Sequence, residues 1–302
     1  MTFKHWFSLA LLIIGSSLWL IEPAEAMTKN DKYQDFSAWY LEKYQVKELP
    51  FRAAAVVEAS TLEPLYFHQE TTVMPTASLM KLITVAALLT YPHSWYIPAS
   101  LTTAENEAWL RPYVGPKDVF SSLKLATDDT ITLEQALAAT LMSSANNTAV
   151  ALGKFIGVTR PDFIARMKQV AQQLNLQHTT VDEPSGLSLG NTSTAYDLAR
   201  AACHDFKDFI VSYYASSPKT TFATGRGVNK TIQHTVHDLR LHPERYFGAK
   251  TGYLDETMFH LAAGYITPQG RRICLAVLSS PTRAQSESIA QALSLWLDEM
   301  YR

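Results

Sequence analysis

Three short motifs place hydroxyl, amine and amide side chains at spacings that could support acyl transfer. They are Ser78-Leu79-Met80-Lys81, Ser144-Ala145-Asn146 and Lys250-Thr251-Gly252. Serine is a weak nucleophile and needs a base to remove its proton. Lysine can be that base only when burial or a neighbouring cation, for which Lys250 is the candidate, lowers its pKa. Singly the motifs are weak evidence, because the segments 121–124 and 216–219 also spell Ser-x-x-Lys.

The context of Ser78 distinguishes it from the other two serines. Ser78 stands at the start of a strongly apolar predicted helix, whose first N–H groups favour a developing negative charge. A serine and a lysine three residues apart on a helix share a face, so the amine of Lys81 can reach the hydroxyl of Ser78. The segments 121–124 and 216–219 are more simply interpreted as solvated surface pairs. We therefore predict Ser78 as the nucleophile and Lys81 as its base.

The other two motifs could complete such a site. Ser144 could relay a proton towards a leaving amine, and Asn146 could orient an amide of the substrate. Lys250 would supply positive charge to that relay and to a substrate carboxylate, and Thr251 would add a hydroxyl donor. Gly252 would let a substrate lie close to the backbone of a strand. Taken singly, a polar turn between helices would also explain Ser144 and Asn146, and an exposed strand end would explain Lys250.

Strand patterns lie towards both ends of the chain, with helical patterns between them. Strands are predicted at 53–57, 65–67, 247–253, 258–266 and 272–279. Helices are predicted at 33–46, 79–89, 132–142, 147–156, 162–174, 195–204 and 284–300.

The order of these elements predicts an α/β fold. An antiparallel sheet would be built from both ends of the chain, flanked by helices, with a helical lobe inserted in the middle. We expect one domain over 27–302, with the sheet part at about 50–78 and 245–302 and the helical lobe at about 79–240. A site at the seam between sheet and lobe would draw its residues from distant parts of the sequence.

The first 26 residues are typical of an export signal. Lys4 and His5 precede a mostly apolar run over 7–21, and Ala24-Glu25-Ala26 is typical of a cleavage site. The run is shorter than the roughly 20 residues that a membrane-spanning helix needs. We therefore expect an exported, periplasmic protein that is cleaved after Ala26 and has no stable membrane anchor. An uncleaved anchor is the alternative.

Composition excludes several classes of partner and cofactor. The 302 residues carry a formal net charge of −2, so no basic excess favours nucleic acid. Two cysteines are too few for a four-cysteine zinc site or an iron–sulfur cluster. Cys203 lies in a predicted helix and Cys274 in a predicted strand, so we expect them to be unpaired. His234, His237 and Asp238 are interpreted as solvated or locally bonded, and no metal or cofactor is predicted.

The three motifs, in this order, resemble those of penicillin-binding proteins and class A β-lactamases. Further segments resemble the low-molecular-mass D-alanyl-D-alanine carboxypeptidase family, and the resemblance extends from about residue 52 to the C-terminus. It implies a β-lactamase/transpeptidase-like fold, peptidoglycan peptides as substrates and β-lactam antibiotics as covalent inhibitors. The segments that carry it are 75–81, 163–167, 183–187 and 193–199.

The resemblance also implies roles for individual residues. Ser78 would be the acylated nucleophile, and the backbone N–H groups of Ser78 and Tyr253 would form an oxyanion hole. Arg283 resembles an arginine that helps to hold the terminal carboxylate of the substrate, and the alternative is an ordinary exposed residue at a helix start. Thr257-Met258 stands where family members often have an Ala-Gly pair. The implied reaction is that of a D-alanyl-D-alanine carboxypeptidase or a D,D-endopeptidase, and the sequence does not separate the two.

Two other functions remain open at this point. A β-lactamase shares the motifs and the fold but needs a loop whose glutamate holds a water, and Glu183-Pro184 superficially resembles that loop. The next residues, 185–187, fit the peptidase pattern better. A catalytically silent wall-binding protein of the same fold is the second alternative, and the retention of every candidate side chain argues against it.

Overall fold

The computed structural model of the protein describes residues 35–101 and 103–301. The predicted export signal, 1–26, lies outside the described residues. Within them, no helix combines the length and the apolar character needed to cross a membrane. The helices are α1 (Phe36–Tyr44), α2 (Met80–Leu89), α3 (Thr103–Leu110), α4 (Leu133–Met142), α5 (Asn146–Ala149), α6 (Leu152–Phe155), α7 (Arg160–Gln173), α8 (Ala195–Asp205), α9 (Phe209–Ser216), α10 (His237–Leu241) and α11 (Arg283–Met300). The strands are β1 (Ala53–Glu58), β2 (Pro64–His68), β3 (Met74–Pro75), β4 (Pro98–Ser100), β5 (Thr130–Thr132), β6 (Thr192–Ser193), β7 (Lys219–Ala223), β8 (Asn229–Gln233), β9 (Tyr246–Leu254), β10 (Met258–Ile266) and β11 (Arg272–Ser280).

A five-stranded antiparallel sheet in the order β2-β1-β11-β10-β9 joins the early and late strands. Successive side chains of a strand point to opposite faces, and β1 shows this directly. Ala53, Ala55 and Val57 belong to the core on the lobe side, whereas Ala54 and Val56 belong to the core under the terminal helices. Helices on both faces explain why β1 is apolar from Ala53 to Val57. The predicted α/β fold, with its sheet built from both ends of the chain, is confirmed.

The closing helix α11 packs on one face of this sheet, together with α1. Its apolar stripe is buried, as Ile289 and Leu293 are fully covered and Trp296 nearly so. The ring of Trp296 meets Phe36 of α1 edge-on, with 5.7 Å between the ring centroids. Helix α11 therefore uses its apolar face to cover the sheet.

On the other face, α8 packs against β11 and β1, and α2 packs against α7 and α8. Helix α4 begins with a capping box, in which Thr132 and Gln135 each bond the backbone of the other. These helices form the lobe that faces β9.

The structure corrects some predicted elements of the lobe. The helix predicted over 147–156 is two short helices, α5 and α6. The hairpin of β7 and β8 and the helices α3 and α9 were not predicted. Strand β7 is polar and half-exposed, so it lacks the apolar signal on which strand prediction depends. Helix α9 is rich in aromatic and β-branched residues, which are weak helix formers.

The prediction that Cys203 and Cys274 are unpaired is wrong. Cys203 of α8 and Cys274 of β11 form a disulfide, with 5.6 Å between their Cα atoms. Helix α8 packs directly on β11, which brings the two residues together although 71 positions separate them in the sequence. The prediction failed because it relied on one cysteine lying in a helix and the other in a strand. The distance between two elements depends on how they pack and not on their type.

Candidate active site

One cleft, of about 510 Å³, collects most of the predicted site residues between the lobe and the β9 edge of the sheet. Lys81 and Lys250 are fully buried beside it, and each contacts a residue that lines it. The predicted residues that line the cleft are Ser78, Ser144, Asn146, Thr251, Gly252, Tyr253 and Arg283.

Ser78 and Lys81 meet because the chain turns into a helix at this point. Ser78 is the middle residue of a 3₁₀ turn, Ala77–Leu79, and Lys81 lies in the first turn of α2. The Nζ atom of Lys81 is 2.8 Å from the Oγ atom of Ser78. Ala77 adopts a left-handed backbone conformation with φ 48°, which is uncommon for a residue other than glycine. The chain therefore holds Ser78 in an exceptional local conformation within reach of Lys81.

The surroundings of Lys81 suit a neutral amine. Its Nζ atom is 2.6 Å from both Asn146 Oδ1 and Ser185 O, in addition to the contact with Ser78. These two carbonyl oxygens can only accept hydrogen bonds, so they take the two N–H groups of a neutral amine. The remaining lone pair of the nitrogen then faces the hydroxyl of Ser78 and can receive its proton.

Burial is the main cause of the unusual basicity of Lys81. Removal from water lowers the pKa of Lys81 to about 7, and the negative charge of Glu183 acts in the opposite direction. Burial and the positive charge of Lys250 were the two causes that the sequence left open. Repulsion between positive charges instead affects the pKa of Lys250. That pKa is lowered first by burial and then by the positive charges of Lys81 and Arg283.

Lys250 of β9 reaches across the cleft to the lobe. Its Nζ atom donates hydrogen bonds to Ser144 Oγ at 2.8 Å and to Thr251 O at 2.7 Å. Ser144 follows the end of α4 and has a left-handed backbone with φ 58°. Thus Lys250 orients the hydroxyl of Ser144.

One end of the cleft is polar and cationic. Thr251 Oγ1 donates to Thr235 Oγ1 at 2.7 Å, and an Nη atom of Arg283 donates to the carbonyl oxygen of Thr235 at 3.4 Å. Arg283 begins α11 and its positive charge acts on the buried Lys250. Such an end of the cleft suits a carboxylate. Thr235 was missed, because a lone threonine outside any motif carries no sequence signal.

Gly252 has a structural role that the sequence did not suggest. A Cβ atom at Gly252 would lie 3.1 Å from Ala77 Cβ and 3.3 Å from the backbone nitrogen of Ser78. The absence of a side chain therefore lets β9 pack against the turn that carries Ser78. The next residue, Tyr253, is half-exposed at the cleft and its hydroxyl donates to Asp255 at 2.5 Å.

The two other Ser-x-x-Lys segments do not pair their own residues. Ser121 Oγ donates to the carbonyl oxygen of Ser143, and Lys124 forms an ion pair with Glu107. Ser216 Oγ donates back to the preceding turn of its helix, α9. Ser121 nevertheless lines the cleft, because its segment forms part of the wall beside Asn146.

Of the two histidines near Asp238, His234 makes a local contact and His237 is exposed. His234 is buried, and its Nδ1 atom accepts the backbone N–H of Val236. The side chain of Asp238 accepts a hydrogen bond from Tyr246. Over 35–101 and 103–301, no group of three histidine, cysteine or acidic side chains is arranged to hold a metal ion.

Comparison with known proteins identifies relatives that are named D-alanyl-D-alanine carboxypeptidases and endopeptidases. The family model described as D-alanyl-D-alanine carboxypeptidase matches residues 41–282. The D-alanyl-D-alanine carboxypeptidase DacD of Salmonella typhimurium is 30% identical over 205 residues, which are 66% of this chain and 50% of the relative. A D-alanyl-D-alanine endopeptidase of Pseudomonas aeruginosa is 27% identical over 262 residues, 83% of this chain and 78% of the relative. The chain thus spans about half the length of the first of these relatives.

Solved structures with the same fold include the DD-transpeptidase of a Streptomyces species. That structure has a TM-score of 0.75 and 22% identity, and the match covers 84% of this chain and 98% of the transpeptidase. A D-alanyl-D-alanine carboxypeptidase of Mycobacterium tuberculosis has a TM-score of 0.69 at 19% identity, with 83% and 92% of the two chains covered. At these identities the likeness shows the fold, and it confirms the β-lactamase/transpeptidase-like architecture.

Proposed function

The chain belongs to the D-alanyl-D-alanine carboxypeptidase family, and on that premise we propose that it hydrolyses D-alanyl-D-alanine bonds of peptidoglycan peptides through an acyl-enzyme on Ser78. The observation that carries the proposal is the 2.8 Å contact between Ser78 Oγ and the buried amine of Lys81. An amine with a pKa of about 7 can take the proton of serine at neutral pH.

Acylation begins when Ser78 Oγ attacks the carbonyl carbon of the penultimate D-alanine. The proton of Ser78 passes to Lys81 Nζ as the new C–O bond forms. The carbonyl oxygen becomes negatively charged, and the backbone N–H groups of Ser78 and Tyr253 would bind it. The carboxylate of the last residue would lie at the end of the cleft formed by Thr251, Thr235 and Arg283.

The leaving amine must receive a proton when the C–N bond breaks. Ser144 can deliver it, because Lys250 donates a hydrogen bond to Ser144 Oγ and so leaves the O–H of that residue free to donate. The proton that Lys81 took from Ser78 then passes to Ser144 and replaces the one that Ser144 delivered. The products are a free amine and an ester of Ser78, which water hydrolyses to release the shortened peptide and restore the serine.

The β-lactamase alternative would need a carboxylate that holds a hydrolytic water, and Glu183 is not placed for that role. Its side chain is fully buried, and both carboxylate oxygens accept backbone N–H groups. Because the oxygens of Glu183 already accept these hydrogen bonds, we expect slow hydrolysis of the acyl-enzyme formed with penicillin, as in a peptidase. A catalytically silent wall protein is disfavoured by the complete hydrogen-bonded set of Ser78, Lys81 and Asn146.

The proposal includes export and removal of residues 1–26 after Ala26, which gives a periplasmic enzyme. The disulfide between Cys203 and Cys274 supports it, because disulfides persist in oxidising compartments. N-terminal sequencing of the mature protein tests the cleavage. A mature form that keeps residues 1–26 and stays in the membrane pellet at high salt would contradict it.

Labelling with a fluorescent penicillin, followed by peptide mapping, tests the site. We expect a stable label on Ser78, which also tests the expectation that β-lactam antibiotics are covalent inhibitors. A label on Ser121, Ser144 or Ser216 would contradict the assignment, and rapid turnover of a chromogenic β-lactam would favour the β-lactamase.

Incubation with purified muropeptides tests the reaction itself. Loss of one alanine from pentapeptide monomers would identify a carboxypeptidase, whereas conversion of cross-linked dimers into monomers would identify an endopeptidase. The comparisons include relatives with both names. A protein that is acylated by penicillin but changes neither muropeptide would contradict the proposed substrate.

A further inference from the structure

A buried carboxylate folds the loop that lies beneath Ser78 and Lys81. This loop, the 183–191 loop, begins at Glu183, whose side chain is fully buried. Consecutive N–H groups that converge on one anion form a nest, so the carboxylate determines the path of the backbone. The N–H donors to the two carboxylate oxygens are Ser185 at 2.5 Å, Gly186 at 2.5 Å, Leu187 at 2.7 Å and Ser188 at 3.3 Å.

The carbonyl groups of the same loop point towards helix α2. Ser185 O accepts from Lys81 Nζ at 2.6 Å, and Pro184 O accepts from Thr84 Oγ1 at 2.7 Å. Lys81 and Thr84 are three residues apart and share one face of the helix. Glu183 therefore orients the peptide group between Ser185 and Gly186, which binds the amine of Lys81. It also orients the preceding peptide group, which binds Thr84.

The 183–191 loop also supports the turn that carries Ser78. Asn191 Nδ2 donates to the carboxylate of Glu183 at 2.8 Å, and Asn191 O accepts the backbone N–H of Thr76 at 2.9 Å. Gly186 has φ 88°, and a Cβ atom there would lie 1.9 Å from Ala77 O. The loop thus packs tightly against the two residues that precede Ser78.

The charge of Glu183 reaches Lys81 as well. The charged groups that face Lys81 are Glu183 from the 183–191 loop and Lys250 from β9, and Arg283 in turn acts on Lys250. Glu183 raises the pKa of Lys81 against the effect of burial. Burying a charge costs desolvation free energy, so stability alone does not explain a buried carboxylate at Glu183. This favours a role for Glu183 at the reaction site.

We propose that Glu183 is a positioning residue for acylation: it holds Lys81 against Ser78 through the 183–191 loop and stabilises the protonated amine. Glu183 exchanges no proton itself, since the proton moves from Ser78 Oγ to Lys81 Nζ. The inference rests on the acyl transfer by Ser78 proposed above.

The decisive variant is Glu183→Gln, which keeps the shape of the side chain and removes its charge. The rate of acylation by a fluorescent penicillin is measured as a function of pH. In the wild-type protein we expect the rate to fall as the pH drops through about 7, because Lys81 becomes protonated. In E183Q we expect this acid limb to move to lower pH by about one unit or more, with a lower plateau rate.

Asp197→Asn is the matched control. Asp197 is another buried carboxylate of the same region and accepts the backbone N–H of His178 and the hydroxyl of Thr179, but its charge does not act on Lys81. D197N is expected to lower the melting temperature and to leave the acid limb in place. An unshifted limb in E183Q, or an equal shift in D197N, would overturn the inference.

A second variant covers the case in which E183Q does not fold. Glu183→Asp keeps the charge but withdraws it by one methylene group, so its acid limb should shift in the same direction by less. An unshifted limb in a folded E183D would then overturn the inference. If penicillin does not label the wild-type protein at all, the proposed function fails. If penicillin labels the wild-type protein but the acid limb of the Glu183 variants does not shift as expected, only the inference fails.

Discussion

Lys250 Nζ and Ser144 Oγ form a 2.8 Å hydrogen bond that joins the sheet to the helical lobe across 106 residues of sequence. Lys250 is fully buried, so this hydroxyl is one of the few groups that compensate its loss of hydration. The same bond orients the side chain that is proposed to deliver a proton to the leaving amine. Stability and catalysis therefore depend on one contact.

Replacing either partner of this bond should lower the free energy of unfolding by more than the loss of one neutral hydrogen bond would, and should also slow acylation. Ser144→Ala leaves Lys250 without one acceptor, which should cost about 1–3 kcal/mol of unfolding free energy and lower the acylation rate. Lys250→Met should lower the rate as well. In a double-mutant cycle the second substitution should have a much smaller effect than the first. Fully additive effects on the acylation rate would show that the two residues act independently.

Lys81→Arg should nearly abolish acylation of Ser78. Arginine stays protonated in the working pH range and cannot take the proton of serine, so we expect a loss of about 10²–10⁴-fold. The second-order rate constant for a fluorescent penicillin measures the effect. The control is Lys124→Arg, since Lys124 is exposed and paired with Glu107 in one of the two other Ser-x-x-Lys segments. Substantial acylation in K81R would mean that another group is the base.

Removing the disulfide should destabilise the protein without abolishing the fold of the cleft. The Cys203→Ala/Cys274→Ala variant opens a loop closed over 71 positions and should lose about 2–4 kcal/mol. Denaturant unfolding with and without a reductant provides the measurement. The wild-type midpoint should fall in the reductant and the midpoint of the variant should not. Equal midpoints for the oxidised wild-type protein and the variant would contradict a stabilising role.

Met258→Gly should stabilise the protein. Met258 begins β10 with a left-handed backbone at φ 60°, a conformation that glycine adopts without strain. Its side chain is 38% exposed, so little buried contact is lost, and we expect a gain of about 0.5–1 kcal/mol. Met258→Ala is the control, because it shortens the side chain and keeps the strain. A higher thermal midpoint should therefore occur in M258G and not in M258A.

Met258 also lies at a departure noted in the sequence. Thr257-Met258 stands where family members often have an Ala-Gly pair, and the backbone of Met258 is left-handed in the structure. A glycine at this position would adopt the same conformation without strain. Met258 pairs with Leu254 where β10 begins beside β9.

Local features of the site could be predicted from the sequence because neighbouring residues along a helix or strand determine them. The contact between Ser78 and Lys81 follows from their separation of three residues, and the capping box at Thr132 follows from its spacing to Gln135. The strands at both ends of the chain follow from runs of apolar residues, which indicated the α/β class. The resemblance to a known family added the roles of residues that no spacing connects.

Contacts between distant segments were settled only by the tertiary structure. The approach of Asn146 to Lys81, the bond from Thr251 to Thr235 and the pairing of Cys203 with Cys274 join elements that are far apart in sequence. Hydrophobic periodicity shows which face of an element is buried, but not which element covers it. The low basicity of Lys81 has the same origin, since it results from burial by several segments at once and no single stretch of sequence encodes it.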